Sequence, residues 1–277
     1  MAIRMLVVQC SETAPIGRLA GWLTDAGAEL DVREPATLPA ELTGYSALLV
    51  LGGEMSAQDD RKHPWLAQVR QLLAAAVADE LPVLAVCLGA QLLATATGGQ
   101  VSLGTAPEYG AQLVAKRQAA ATDPLFRELP ITPDVLQWHT DEVSALPPNA
   151  VQLAAGPACE QQAFRVGRFG WGIQFHIETT PEIVRSWAAS DAAELTDYDL
   201  PAIVDRAVAV HDDLAEIWAP VVARFVEVAG DPAAFAGSRT LPLAGGATTT
   251  AGPITDPAAI RAALAAEAQA ARRPQDR

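Results

Sequence analysis

Apolar positions along this chain come in two textures. Up to Gly99 they form short unbroken runs, 4-RMLVVQ-9, 46-SALLVLGG-53 and 82-PVLAVC-87, separated by stretches with helical spacing. Runs of this length predict strands buried on both faces, and their alternation with helices predicts a parallel sheet. In 16-IGRLAGWLTDAGAEL-30, Leu19, Trp22 and Leu23 share one helical face, and Gly27 suits the C-terminal end. Residues 29–33 return as a strand, and residues 64–79 form a helix opened by Pro64.

After Gly99 the runs shorten. Strands are expected around 109–115, 134–138, 151–155, 163–167 and 171–175, then helices over 181–190 and 200–229. In the last helix Leu214, Trp218, Val221 and Phe225 share a face, with Asp199 and Pro201 at its start. The segment 236-AGSRTLPLAGGATTTAGP-253 reads as a flexible linker, and 257–272 as an alanine-rich helix capped by Asp256. The expected organisation is a main domain over 1–190, a helical extension over 191–230 packing on it, and a tail over 231–277. The fold class is α/β, with a mostly parallel central sheet, helices on both faces and added C-terminal helices.

Half of the 277 residues are hydrophobic, enough for a sizeable core, and the formal net charge is −14. That field repels phosphates, so nucleic acid and anionic membrane are not expected partners. No run reaches the roughly 20 apolar residues of a membrane span, and the N-terminus does not read as a signal peptide. Cys10, Cys87 and Cys159 are too sparse for a disulfide framework or a zinc pattern. A cytoplasmic protein needing no metal or cofactor is expected.

Candidate chemistry centres on Cys87, at a strand-to-helix junction with small residues, Ala85 and Gly89, two positions to either side. A nucleophile on such a turn is exposed at a helix N-terminus, which favours a thiolate and can hold an oxyanion. The competing reading is a small buried residue. A base must come from four histidines. His63 reads as a surface residue, His211 as solvated within a helix beside Asp212 and Asp213, and His139 as a local hydrogen-bonding residue. His176 follows an apolar strand in 170-GWGIQFHIETT-180, and alternation puts Glu178 on its side, where a carboxylate can orient the imidazole. A strand-end structural histidine is the alternative. Trp138 and Trp171 read as core or pocket walls, and Cys10 and Cys159 as buried bystanders.

Five segments in order then match a known family. LAVCLGAQLLA and WGIQFHIE resemble the nucleophile-elbow and His-x-Glu motifs of class I (triad) glutamine amidotransferases. 50-VLGGEMSAQDD-60 resembles their oxyanion loop, 108-EYG-110 a short motif after the elbow helix, and 137-QWHTDEV-143 the segment that contacts glutamine. The resemblance covers roughly 4–190 and is strongest to stand-alone, GMP-synthase-like members. It implies that Cys87 attacks the side-chain amide of glutamine to give a thioester and ammonia. His176 would act as base and acid, and Glu178 as its orienting group. It also implies an oxyanion hole from the N–H groups of Leu88 and Gly53, and substrate contacts from Gly52, Gln91, Thr140 and Asp141.

Four positions depart from the family pattern. Ala85 replaces a glycine in the elbow and Glu54 a proline in the oxyanion loop. Ile177 replaces the proline between His176 and Glu178, with looser geometry expected, and Thr140 replaces a glycine in the substrate segment. Neither a synthetase motif nor a phosphate loop is visible. The expected function is glutamine hydrolysis serving a separate ammonia-accepting synthetase. A hydrolase of γ-glutamyl amides and a non-catalytic regulatory binding protein are the alternatives.

Overall fold

The computed structural model describes residues 2–235. The expected linker and alanine-rich helix of the tail lie outside the described residues. The first half alternates as the apolar runs require: β1 (Ile3–Val8), α1 (Leu19–Asp25), β2 (Ala28–Arg33), β3 (Ala47–Val50), α2 (Trp65–Ala78), β4 (Val83–Val86) and α3 (Leu88–Ala96). Then follow β5 (Gln100–Leu113), β6 (Ala115–Lys116), β7 (Asp134–Ala145), β8 (Val151–Ala155), β9 (Ala163–Val166) and β10 (Gly170–Ile173). Helices α4 (Pro181–Ser190), α5 (Leu200–Ala209) and α6 (His211–Gly230) close the described chain.

Eight strands make one sheet in the order β2-β1-β3-β4-β10-β9-β8-β6. The pairs from β2 through β10 are parallel, and those from β10 to β6 antiparallel. Every residue of β3, β4 and β10 is buried, which is why these strands read as unbroken apolar runs. Alternate side chains feed two cores. Met5 and Val7 pack with Leu19 and Leu23 of α1 and with Trp218, Val222 and Phe225 of α6. Leu6 and Val8 pack with Leu66, Val69 and Leu73 of α2 and with Leu92 and Leu93 of α3. The fold is therefore mixed α/β, with a mostly parallel central sheet between helices.

Four expectations need correcting. The strand expected at 109–115 begins at Gln100, and the one expected at 134–138 runs to Ala145. Together they form a separate antiparallel ribbon, partly exposed, with a register irregularity between Leu103 and Glu108. Pairing between the two strands satisfies the backbone there, so little apolar alternation is needed and little is visible.

The single helix expected over 200–229 is two, divided at Val210. Asp199 caps the first, its Oδ1 accepting from the Ala202 N–H at 3.1 Å. His211, expected to be solvated, is 2% exposed at the start of α6. Its Nδ1 lies 2.6 Å from the Ala207 carbonyl and its Nε2 3.3 Å from Thr179 Oγ1. The break turns the ring inward.

Candidate active site

β4 delivers Cys87 to the N-terminus of α3 with φ +50° and ψ −109°, outside the regions a non-glycine residue normally adopts. The turn is held on both sides. The Cys87 N–H donates to the Ile173 carbonyl at 2.8 Å, and the Cys87 carbonyl accepts from the Gln91 N–H at 3.0 Å. Gly89 must be glycine, because a Cβ there would lie 2.3 Å from the Val50 carbonyl oxygen. Ala85 sits in register with Val50 on one side and Gly172 on the other. Small neighbours are thus imposed by strand packing.

His176 arrives from beyond β10. Its N–H donates to the Leu136 carbonyl at 2.7 Å, fastening it to the ribbon. Its Nδ1 lies 2.6 Å from Glu178 Oε1, and both side chains are almost fully buried. The other carboxylate oxygen, Glu178 Oε2, accepts from the Ile177 N–H at 2.9 Å. A proline at 177 could not make that bond, so the departure at Ile177 adds a restraint where looser geometry was expected.

Nε2 of His176 is buried and has no hydrogen-bond partner. Burial opposes charging of this ring. Glu178 and the nearby Cys87 sulfur outweigh it and lift the imidazole well above its ordinary pKa. Gly52 lies beside the pair: a Cβ on it would come 3.2 Å from His176 Cε1 and 3.6 Å from Cys87 Cβ. A Cβ on Gly53 would come 3.1 Å from Leu88 Cδ2, which brings the oxyanion-loop glycine against the first residue of α3. The N–H groups of that first turn have no intrahelical acceptor.

A family model described as glutamine amidotransferase class-I matches residues 18–186. The chain belongs to this family. It is 35% identical over 144 residues to a glutamine-hydrolysing GMP synthase of Christiangramia forsetii, a match spanning 51% of this chain but only 26% of that protein. It is 32% identical over 160 residues to a glutamine-hydrolysing GMP synthase subunit of Methanoculleus marisnigri, covering 57% of this chain and 79% of the relative. A crystal structure of a Thermotoga maritima glutamine amidotransferase superposes with a TM-score of 0.74 at 29% identity, covering 82% of this chain and 99% of that one.

The remaining candidates fall into two groups. Gln91 is buried and its side chain is committed to the protein: Nε2 donates to the Asp141 carbonyl at 2.9 Å and toward Gln174 Oε1 at 3.4 Å. The Asp141 carbonyl also faces His139 Nδ1 at 3.1 Å. The side chain of Gln91 and the carbonyl of Asp141 thus brace each other. Thr140 is exposed and lines a cavity of about 240 Å³ together with Gly53, Glu54, Tyr109, Trp138 and His176.

Gln174 was not singled out from the sequence. Its Nε2 points at Cys87 Sγ from 3.7 Å, a donor to the sulfur. The alternation that places Glu178 beside His176 also puts Gln174 on that side, so the signal was present. A second buried network stands behind the ribbon. Gln137 donates to Gln162 at 2.8 Å, Gln162 to Glu108 Oε2 at 2.7 Å, and His139 Nε2 lies 3.1 Å from Gln137 Oε1. This is the local bonding expected of His139, and it gives Glu108 of the EYG motif a structural setting.

His63 is part-buried at the entrance to α2, its ring edge-on to Trp65 with centroids 5.9 Å apart. Trp171 is core, and Trp138 is a cavity wall. Among the described residues, no three His, Cys, Asp or Glu side chains are grouped to hold a metal ion. No helix among them is long and apolar enough to cross a membrane.

Proposed function

We propose that the chain hydrolyses the side-chain amide of glutamine, or of a γ-glutamyl compound, through a thioester on Cys87. One observation carries the reading: a cysteine in a strained turn at a helix N-terminus stands beside a buried histidine–carboxylate pair whose outer nitrogen is free. Cys87 Sγ gives its proton to His176 Nε2 and attacks the amide carbon. The N–H groups of Leu88 and Gly53 stabilise the oxyanion. The nitrogen leaves with the proton from His176, and water, activated by the same ring, hydrolyses the thioester. Glu178 fixes the ring's tautomer and supports its positive charge.

Thr140 lines the cavity, and main-chain groups of this segment meet the amino-acid end of the substrate. Gln91 holds this segment in place. Likeness to the GMP synthase subunit of Methanoculleus marisnigri supports a reading in which ammonia passes to a separate synthetase. The size of the cavity beside His176 favours a second reading, turnover of larger γ-glutamyl amides without a partner. Ammonia release from glutamine, compared with Cys87→Ala, tests the shared chemistry. Release by the parent and none by the variant is expected. Equal release, or none by either, returns the chain to a binding role.

A further inference from the structure

Glu108 and His139 stand opposite each other across the β5–β7 ribbon, in register and on one side of it. Both are buried, at 2% and 7% exposure, and the thioester chemistry uses neither side chain. A carboxylate this deep is costly unless a donor or a cation meets it. Glu108 Oε1 meets neither. The charge is compensated at Oε2, which accepts from Gln162 Nε2 at 2.7 Å and lies 3.3 Å from His139 Nε2.

The directions of the surrounding hydrogen bonds then follow one from another. An ionised carboxylate only accepts, so Gln162 turns its nitrogen to Glu108 and its oxygen away. That oxygen accepts from Gln137 Nε2 at 2.8 Å. Gln137 is left with its oxygen 3.1 Å from His139 Nε2. Nε2 of His139 thus faces two acceptors, Gln137 Oε1 and Glu108 Oε2. Across the ring, Nδ1 faces a third, the Asp141 carbonyl at 3.1 Å. A neutral imidazole has one N–H and one lone pair, and a lone pair aimed at an oxygen repels it. Only the imidazolium satisfies both sides of this ring.

Two arms of the network meet at the Asp141 carbonyl. His139 Nδ1 reaches it from the ribbon, and Gln91 Nε2 donates to it at 2.9 Å from α3. Gln91 also leads to Gln174, whose Nε2 points at Cys87 Sγ. The main chain next to Thr140, a residue of the cavity wall, is fixed between these donors. The charged donor makes the stronger bond of the two. Glu108 also acts on its other side: burial first, then Glu142 and Glu108, push the Cys159 thiol well above its ordinary range.

Resting on the thioester reading above, we propose that Glu108 is a positioning residue: it keeps His139 as a buried imidazolium, whose Nδ1–H holds the Asp141 carbonyl and the segment that meets the amino-acid end of the substrate. Glu108 touches no reacting atom, so its loss is felt in substrate binding rather than in bond making. Glu108→Gln lets the amides turn round. The new amide donates to Gln162, Gln162 to Gln137, and Gln137 to His139 Nε2. The ring is then satisfied as the neutral tautomer with its proton on Nδ1, so the variant keeps its packing and loses the charge.

The test joins nitrogen NMR of the full chain, labelled on histidine, to the kinetics of ammonia release from glutamine. His139→Asn identifies the His139 signals. At neutral pH the parent is expected to carry protons on both ring nitrogens of His139, and Glu108→Gln on Nδ1 alone. Glu108→Gln is expected to raise KM about tenfold, with kcat changed less than about twofold. Should that variant fail to fold, the parent spectrum and a like rise of KM in His139→Asn decide. A neutral His139 ring in the parent, an unchanged KM, or a loss confined to kcat overturns this inference and leaves the Cys87 chemistry standing. If the parent releases no ammonia and Cys87 resists a glutamine-like electrophile, the thioester reading falls and takes the inference with it.

Discussion

Cys10 and Cys87 are equally buried, each 6% exposed, just beyond the C-terminal ends of two parallel strands of one sheet. Their surroundings differ. At Cys10, burial first, then Glu54 and the Cys87 sulfur, raise the thiol from 9.0 to about 12. Cys87 stands at a helix N-terminus in a strained turn, with the Gln174 amide aimed at its sulfur and the His176–Glu178 pair beside it. Depth therefore does not make the nucleophile. A donor to the sulfur, a base and a helix terminus do.

Removing each sulfur breaks the comparison most directly. Cys87→Ala is expected to lower amide hydrolysis about a thousandfold or more, as loss of a nucleophile does. Cys10→Ala is expected to change kcat/KM by less than about twofold, within the range of an ordinary buried substitution. Similar losses in both variants would erase the distinction. Glu178→Gln keeps the sulfur but no longer supports the charged ring. A fall in kcat of about a hundredfold to ten-thousandfold, with an unchanged circular dichroism spectrum, is expected.

Gln174→Leu sharpens the comparison without touching the base. It removes the N–H aimed at the sulfur and should slow alkylation of Cys87 about tenfold at fixed pH. Cys10 alkylation in the unfolded chain serves as the reference. Unchanged Cys87 alkylation would reduce Gln174 to packing.

The two sites also differ in how pH acts on stability. His176 has a folded pKa raised above its unfolded value near 6.5. Its contribution is therefore fully present below about pH 6.5 and is lost as pH rises through the raised value. Thermal melts of the parent and His176→Gln should show a gap in Tm that closes over that rise. Cys10 acts later. Its thiol ionises near 9.0 when unfolded and near 12 when folded, so stability falls with pH between those values. The slope is at most about 1.4 kcal/mol per pH unit. Cys10→Ala should flatten that alkaline fall, and an unchanged slope would mean the thiol is not shielded.

The parallel half of the fold was legible because strands buried on both faces must be apolar throughout, as 46–53 and 82–87 are. The ribbon was only half legible: its strands are partly exposed and carry Gly104 and Pro107, so pairing rather than composition defines them. The break at Val210 was hidden for a related reason. The apolar face of α6 continues the pattern before it, and only the packing of His211 on Ala207 and Thr179 shows the turn.

At the site, Cys87, His176 and Glu178 could be proposed from residue type and alternation. Gln91 was harder, because its partners, Asp141 and Gln174, come from β7 and from the segment beyond β10. Asp191 follows α4, and its bond from Trp138 Nε1 joins parts of the chain too far apart in sequence to be read together.

The deciding measurement is the reaction of the folded chain with a glutamine-like electrophile, with the modified cysteine located by mass spectrometry and residual ammonia release followed in parallel. One adduct per chain, on Cys87, with activity lost in step, is predicted. Adducts on Cys10 or Cys159, or full loss of Cys87 thiol with ammonia release intact, would contradict the assignment of Cys87 as the nucleophile.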